Sequence, residues 1–341
     1  MPIVPSTYKP KRWWQHHKHL STMIPSVLRN VPPADYTRET LELDDGDFLD
    51  IDWVRSAETS DRLLIVLHGL EGSSQSYYAQ GVSQFFGRAG WHVLVSNHRG
   101  CSGRMNRLLR MYHMGASDDV GRLVKYGLSL GYAKIGIVGF SLGGNMCLKY
   151  LGEQGANLPE QVVGGVAFSV PCHISSANAI IDKPHNRIYL MRFLRSLNEK
   201  IKRKHIDFPD QITLPTGQAG DKWPRSFAEF DDRYTGPIHG FSGAEEYWDK
   251  SSSRQFIPHI KPPALLVNAR NDTFLSGQCF PEEEARSMDN FYLETPAKGG
   301  HVGFGALRKA PYWSEKRALQ FFERTVGLGP IYPAPKSVAY F

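Results

Sequence analysis

Cysteine is scarce in this chain: 341 residues contain four, Cys101, Cys147, Cys172 and Cys279, at separations of 46, 25 and 107 positions. Such spacing forms no C-x-x-C pair, which excludes a disulfide scaffold and a zinc ribbon and leaves free thiols in a reducing compartment as the expectation. Long apolar runs are missing too. The longest are pieces such as Leu63-Leu64-Ile65-Val66-Leu67, far short of a membrane-spanning helix. The segment Met1-Pro2-Ile3-Val4-Pro5 leads into polar, aromatic and basic residues instead of an apolar signal region, so a cytoplasmic protein is expected. There is no low-complexity tract and no internal repeat. The net charge of +6, from 40 basic and 34 acidic residues, is too mild on average for a nucleic-acid binder, and no nucleic-acid partner is expected.

What is present describes a globular chain, 41% hydrophobic and 22% charged, long enough for two domains or one large α/β unit. Residues 1–35 are rich in proline, histidine and basic groups with little periodicity, and read as a collar with one short helix. Asp45-Gly46, flanked by Leu41, Leu43, Phe48 and Ile51, predicts a β-hairpin. From Leu63 onward, short apolar runs (63–67, 93–95, 135–138, 162–170, 264–267, 291–294) alternate with amphipathic stretches (77–88, 118–130, 142–151), and 313–326 reads as a closing helix with Ala318, Phe321, Phe322 and Thr325 near one face. This pattern predicts an α/β fold with a mostly parallel sheet flanked by helices. The 93 residues between Val170 and Ala264 exceed what a crossover needs, so 172–260 is expected to be an inserted helical cap, with a helix over Asn186–Lys204. The core is then 36–171 plus 261–341.

Directly after the run Ile135-Gly136-Ile137-Val138 comes Gly139-Phe140-Ser141-Leu142-Gly143, a G-x-S-x-G between a predicted strand and a predicted helix. A serine there is held in a strained turn with its hydroxyl above the sheet, and glycines two positions away avoid clashes with strand and helix. The hydroxyl needs a histidine to take its proton and an acid to orient that histidine, in the chain order Ser, Asp/Glu, His. His301 lies in the glycine-rich Lys298–Gly305 loop after the last predicted strand, and Asp272 follows the strand ending at Val267. These complete a candidate catalytic set of Ser141, Asp272 and His301. The backbone N–H of Leu142 and that of Leu70, in Leu67-His68-Gly69-Leu70-Glu71-Gly72, are the expected oxyanion-hole donors, with Gly69 allowing close approach of substrate. This chemistry calls for no metal and no organic cofactor.

The chain resembles the AB-hydrolase-4, or YheT-like, group of α/β-hydrolases over nearly its whole length. The matching segments are His19–Pro25, where Ser21 stands in place of a more usual glutamine, His68–Ser73, Asn97–Gly103, Tyr112–Ala116, Gly139–Asn145, Glu246–Trp248 and Gly300–Phe304. The resemblance implies the α/β-hydrolase fold, places its triad on Ser141, Asp272 and His301, and implies a serine hydrolase of carboxylic esters. The substrate classes that follow are short- and medium-chain acyl esters, with acylglycerols or lysophospholipids alongside. Two other readings stay open. An acyltransferase or ester synthase would pass the acyl group to an alcohol, and a non-catalytic scaffold would sit at a membrane surface.

Weaker signals have plainer explanations. His113 and Asp118 fit an H-x4-D spacing, but Ser117-Asp118-Asp119 reads as an N-cap and first-turn acids. Trp13–His19 has the look of a metal or nucleic-acid patch, yet no carboxylate or cysteine completes a site, and its aromatics are expected to pack the collar onto the body. Cys147 reads as a small buried residue. The charge surplus is concentrated: residues 1–35 carry +4 and 183–204 carry +7, leaving −5 for the rest. In 186–204 a Leu190, Leu194, Leu197, Ile201 stripe is surrounded by basic residues, as in a cap helix or an interfacial one, and peripheral membrane contact through the Arg187 and Lys200 region is the partner expectation.

Overall fold

The computed structural model describes residues 2–329 apart from 30, 58, 219 and 306–310. Residues 330–341, assigned to the core from sequence, lie outside this set. The strands are β1 (Ile3–Val4), β2 (Thr37–Glu42), β3 (Phe48–Val54), β4 (Arg62–Leu67), β5 (His92–Asn97), β6 (Lys134–Phe140), β7 (Val162–Phe168), β8 (Ala264–Val267) and β9 (Phe291–Glu294). They make one sheet in the order β1-β9-β8-β7-β6-β4-β5-β3-β2. All neighbours are parallel except β3, which runs antiparallel to both β2 and β5. The chain has an α/β-hydrolase architecture.

The continuous apolar runs became the central strands because both their faces are covered. Leu63, Ile65 and Leu67 of β4 pack with Val120, Leu123, Met146 and Leu148 on one side. Leu64 and Val66 pack with Val82, Phe86, Phe321 and Phe322 on the other. The covering helices include α2 (Tyr77–Arg88), α3 (Ser117–Ser129) and α4 (Leu142–Gln154), preceded in the chain by α1 (Lys18–Leu28). The Asp45-Gly46 turn joins β2 to β3 as its sequence requires, with Gly46 at φ +84°.

Three local expectations need correction. The amino-terminal segment contributes structure to the sheet itself, since β1 pairs with β9 beyond its helix α1. The N-cap of α3 is Ala116, not Ser117, whose hydroxyl instead bonds Glu153 and Lys149. The closing helix is α-helical only over Trp313–Gln320 and widens to a π turn at Phe321–Thr325. Ala318, Phe321 and Phe322 are buried, but the wider turn carries Thr325 off their face and leaves it exposed.

Between β7 and β8 lie α5 (Ile174–Ile181), α6 (Arg187–Asp207) and several shorter helices, including Phe227–Phe230 and Ala244–Ser251. Leu190, Leu194, Leu197 and Ile201 of α6 form a separate cluster with Phe227, Phe230, Met111 and Phe274, over the carboxyl ends of the strands. Loops near that end are fastened by charge. Arg99 is fully buried and meets Asp45 (2.7 Å), Asp47 (2.8 Å) and Asp119 (2.8 Å), tying the β2–β3 turn to the start of α3. Removing the cation leaves the fully buried carboxylate of Asp47 without its ion pair, while Asp45 and Asp119 keep Arg122. Arg99→Met is therefore expected to cost about 3–5 kcal/mol of stability in urea unfolding, and a loss within error of zero would refute this role.

Candidate active site

Ser141 sits at the end of β6 with φ +53° and ψ −117°, a conformation that costs a non-glycine residue about 1–3 kcal/mol. The turn is held by main-chain bonds: Ser141 N–H donates to Phe168 O (2.8 Å), and Ser141 O accepts from Asn145 N–H (3.0 Å). Its glycines are forced by contact. A Cβ on residue 139 would lie 2.3 Å from Gly143 O, and one on residue 143 would lie 2.4 Å from Leu67 O. A Cβ on residue 69 would lie 3.2 Å from Ser141 Cβ, so Gly69 lets the β4 loop close against the serine.

His301 and Asp272 arrive from separate loops after β9 and β8. His301 Nε2 lies 2.9 Å from Ser141 Oγ, and His301 Nδ1 lies 2.9 and 3.2 Å from the two carboxylate oxygens of Asp272. The Asp272 side chain is fully buried and also accepts from Phe274 N–H (2.9 Å). The structure thus joins the three candidate residues in one hydrogen-bonded chain. A proton can pass from the hydroxyl to the imidazole, whose resulting charge faces a fixed carboxylate.

Several supporting residues were not foreseen from sequence. His301 N–H donates to Thr22 Oγ1 (3.0 Å) on α1, and Gly303 leaves room for Ser21 O, which a Cβ there would meet at 1.9 Å. Val302, at φ +55°, donates its N–H to Ser169 Oγ (2.9 Å) and accepts from Tyr77 OH (2.9 Å). The loop carrying Gly69 and Leu70 is held by a buried histidine pair. His68 Nδ1–H donates to Gly69 O (2.7 Å), His68 Nε2 accepts from His98 N–H (3.1 Å), and His98 Nε2–H donates to His68 O (2.9 Å). Burial first, and for His68 then the proximity of His98, hold both imidazoles well below their usual pKa, His98 at about 4, so both are neutral at ordinary pH. Beyond Leu70, Glu71 (φ +54°) bonds Tyr112, Ser196 and Lys200 Nζ (2.7 Å), linking the loop to α6. Lys200 therefore faces inward, and Lys204 is buried against the carbonyls of Asn106 and Leu108. Neither belongs to the exposed basic face.

Ser141, Leu142, Gly69, Leu70 and His301 line one cavity of about 680 Å³. Its walls are mostly apolar, with Ala177, Ile181, Leu197, Ile201, Phe227 and Phe274 among them, and Asp231, Thr235 and His239 add a polar patch. Asp231 is buried, accepts from Trp248 Nε1–H (2.7 Å) and Thr235 Oγ1–H (2.7 Å), and burial pushes its carboxyl up to about 7. His113 packs against His239, Phe241 and Tyr247 and shares no hydrogen bond with Asp118, which pairs with Arg110 and Arg122. Of the Trp13–His19 segment, Trp14 is buried and Trp13 is exposed, so only one indole packs onto the body. Cys147 lies in the core. Among the described residues, no cluster of His, Cys, Asp and Glu could hold a metal ion, and no helix is long and apolar enough to cross a membrane.

The profile of the family described as alpha/beta hydrolase fold matches residues 62–305, a span containing Ser141, Asp272 and His301. YheT of Escherichia coli (strain K12), a candidate esterase, is 35% identical over 304 residues, 88% of each chain. The chain belongs to the α/β-hydrolase family, in its YheT-like AB-hydrolase-4 group. Phospholipase ABHD3 of Mus musculus is 27% identical over 314 residues, covering 89% of this hydrolase and 74% of that protein. Among solved structures, the Pyrococcus furiosus esterase Pf2001 superposes with a TM-score of 0.57 at 20% identity, covering 87% of this hydrolase and 98% of that chain, a likeness of fold.

Two outcomes test this geometry. Gly143→Ala must displace the Ser141 turn, and labelling of the serine by a fluorophosphonate is expected to slow by about a hundredfold, the effect of an ångström-scale misplacement. Wild-type labelling would refute the packing argument. Asp231 has a folded-state pKa raised above its unfolded value, so it weakens the fold progressively as pH rises from about 4 through 7. Asp231→Asn should gain melting temperature relative to wild type at pH 8 more than at pH 5; a pH-independent difference would show that Asp231 is not the titrating group.

Proposed function

We propose that this carboxylic ester hydrolase works through an acyl-enzyme on Ser141. His301 Nε2 takes the hydroxyl proton as Oγ adds to the ester carbonyl, and Asp272 holds the imidazole tautomer and stabilises its charged form. The backbone N–H groups of Leu70 and Leu142 receive the developing oxyanion. His301 then gives its proton to the departing alkoxide, releasing the alcohol. Water repeats the sequence on the acyl-enzyme: His301 removes its proton, the acid leaves, and the proton returns to Ser141 Oγ. No metal or organic cofactor is needed for these steps.

The observation that carries this reading is the Ser141–His301–Asp272 hydrogen-bonded chain at the wall of a largely apolar cavity. About 680 Å³ is within the range of small-molecule sites and can take an acyl chain of short to medium length. We read the substrates as acyl esters of that size, with acylglycerols and lysophospholipids included because ABHD3, a relative, is named a phospholipase. The helices of 172–260 act as a cap whose α6 closes the acyl side of the cavity.

Ser141→Ala is expected to reduce p-nitrophenyl ester turnover by at least about a thousandfold, and a fluorophosphonate should modify Ser141 alone. A mutant with wild-type rates would sink the assignment. Esters from acetate to dodecanoate, with glycerides and lysophospholipids, would then define chain length.

A further inference from the structure

The rim of the cavity combines two features that a buried acyl site does not need. Six of the nine large hydrophobic side chains exposed among the described residues lie on α1 and α6: Met23, Val27, Leu28, Ile188, Met191 and Ile206. The two helices meet beside the cavity, where His19 of α1 stacks on Tyr189 of α6 at 5.9 Å, and Met23, Val27, Ile188 and Arg192 all line its mouth. On α6 the residues 188, 191, 192 and 195 fall at i, i+3, i+4 and i+7, so apolar and cationic side chains share one outward stripe. Arg187, Arg192, Arg195 and Arg203 are exposed and have no ion pair among the described residues, while Lys202 is paired only with Glu199 of the same helix. The inward turn of Lys200 and Lys204 leaves this cationic stripe in place.

We propose that α1 and the amino-terminal half of α6 dock the protein on an anionic lipid surface, with Val27, Leu28, Ile188 and Met191 entering the headgroup region and the arginines of α6 meeting lipid phosphates. An apolar patch alone would suit several partners; the unpaired arginines beside it select an anionic one. Seated this way, the cavity opens onto the lipid, and an acyl chain reaches Ser141 without crossing water. This route rests on the acyl-ester reading above; the docking itself does not.

Co-sedimentation with phosphatidylcholine vesicles, with and without about 30% phosphatidylglycerol, tests the proposal. The wild-type and Ser141→Ala proteins should both bind the anionic vesicles at low salt and release at about 0.5 M NaCl. Arg187→Glu/Arg195→Glu should lose at least about tenfold in partition, since each surface arginine contributes about a factor of five. Leu28→Ser/Met191→Ser should also bind more weakly, and both double variants should retain wild-type turnover of a soluble p-nitrophenyl ester. Absence of binding at low salt overturns the proposal, as does binding unaffected by either double variant. It is equally overturned if light scattering shows the wild type to be a dimer in which these side chains are the contact between copies. Because Ser141→Ala reports docking without catalysis, failure of the ester reading leaves the vesicle result interpretable.

Discussion

Where β6 turns into α4, main-chain atoms of three segments lie in direct contact, and the site can exist only at that separation. Gly139 and Gly143 abut each other, and Gly143 faces the carbonyls of Leu67 and His68 at the end of β4. This approach forces Ser141 into an unfavourable backbone conformation and brings the Gly69–Leu70 loop against it. The sheet supplies the restraint. β6 lies between β4 and β7, each with an apolar interior on both faces, so the turn cannot relax without disturbing the whole core.

The same tension recurs around the serine. Among the described residues, the four non-glycine positions with positive φ are Glu71, Ser141, Ser169 and Val302, and each belongs to a loop of the site. Their strain persists because hydrogen bonds from other segments hold each one: Tyr112 and Lys200 for Glu71, Phe168 for Ser141, Val302 for Ser169, Tyr77 for Val302. Preorganisation of this kind places donors and acceptors before substrate arrives, and its cost is met by burial elsewhere.

Segments outside the sheet's centre therefore have structural work at its centre. Helix α1 holds His301 through Thr22 and packs Ser21 into the space left by Gly300 and Gly303. Helix α6 reaches the loop of Leu70 through Lys200 and Glu71. Asn145, on α4, donates to Met114 O and Ser251 O and accepts from Ser253 N–H, fixing the helix that follows Ser141 to the loop before α3 and to the segment before β8. The basic surplus of the sequence divides accordingly. Lys200 and Lys204 turn inward to Glu71 and to the carbonyl of Asn106, while Arg187, Arg192, Arg195 and Arg203 stay exposed on α6, Arg192 of them at the cavity wall.

The sequence by itself determined the sheet and the chain order of the site. Short apolar runs alternating with amphipathic stretches read as strands covered on both faces, Asp45-Gly46 reads as a tight turn, and a serine between two glycines directly after a strand reads as an elbow above the sheet. Asp272 and His301 were legible for the same reason, since each follows a core strand in a loop short enough to be located by counting. Only the tertiary structure decided what holds those loops. The bond from His301 to Thr22 spans 279 positions and that from Lys200 to Glu71 spans 129. Neither leaves a periodicity or a local motif, because a hydrogen bond between distant residues depends on how elements pack, not on what stands beside either partner. Thr325 shows the limit within a single helix: its spacing put it on the buried face, but the helix widens to a π turn over Phe321–Thr325, in which Phe321 and Phe322 stay buried and Thr325 is in solvent.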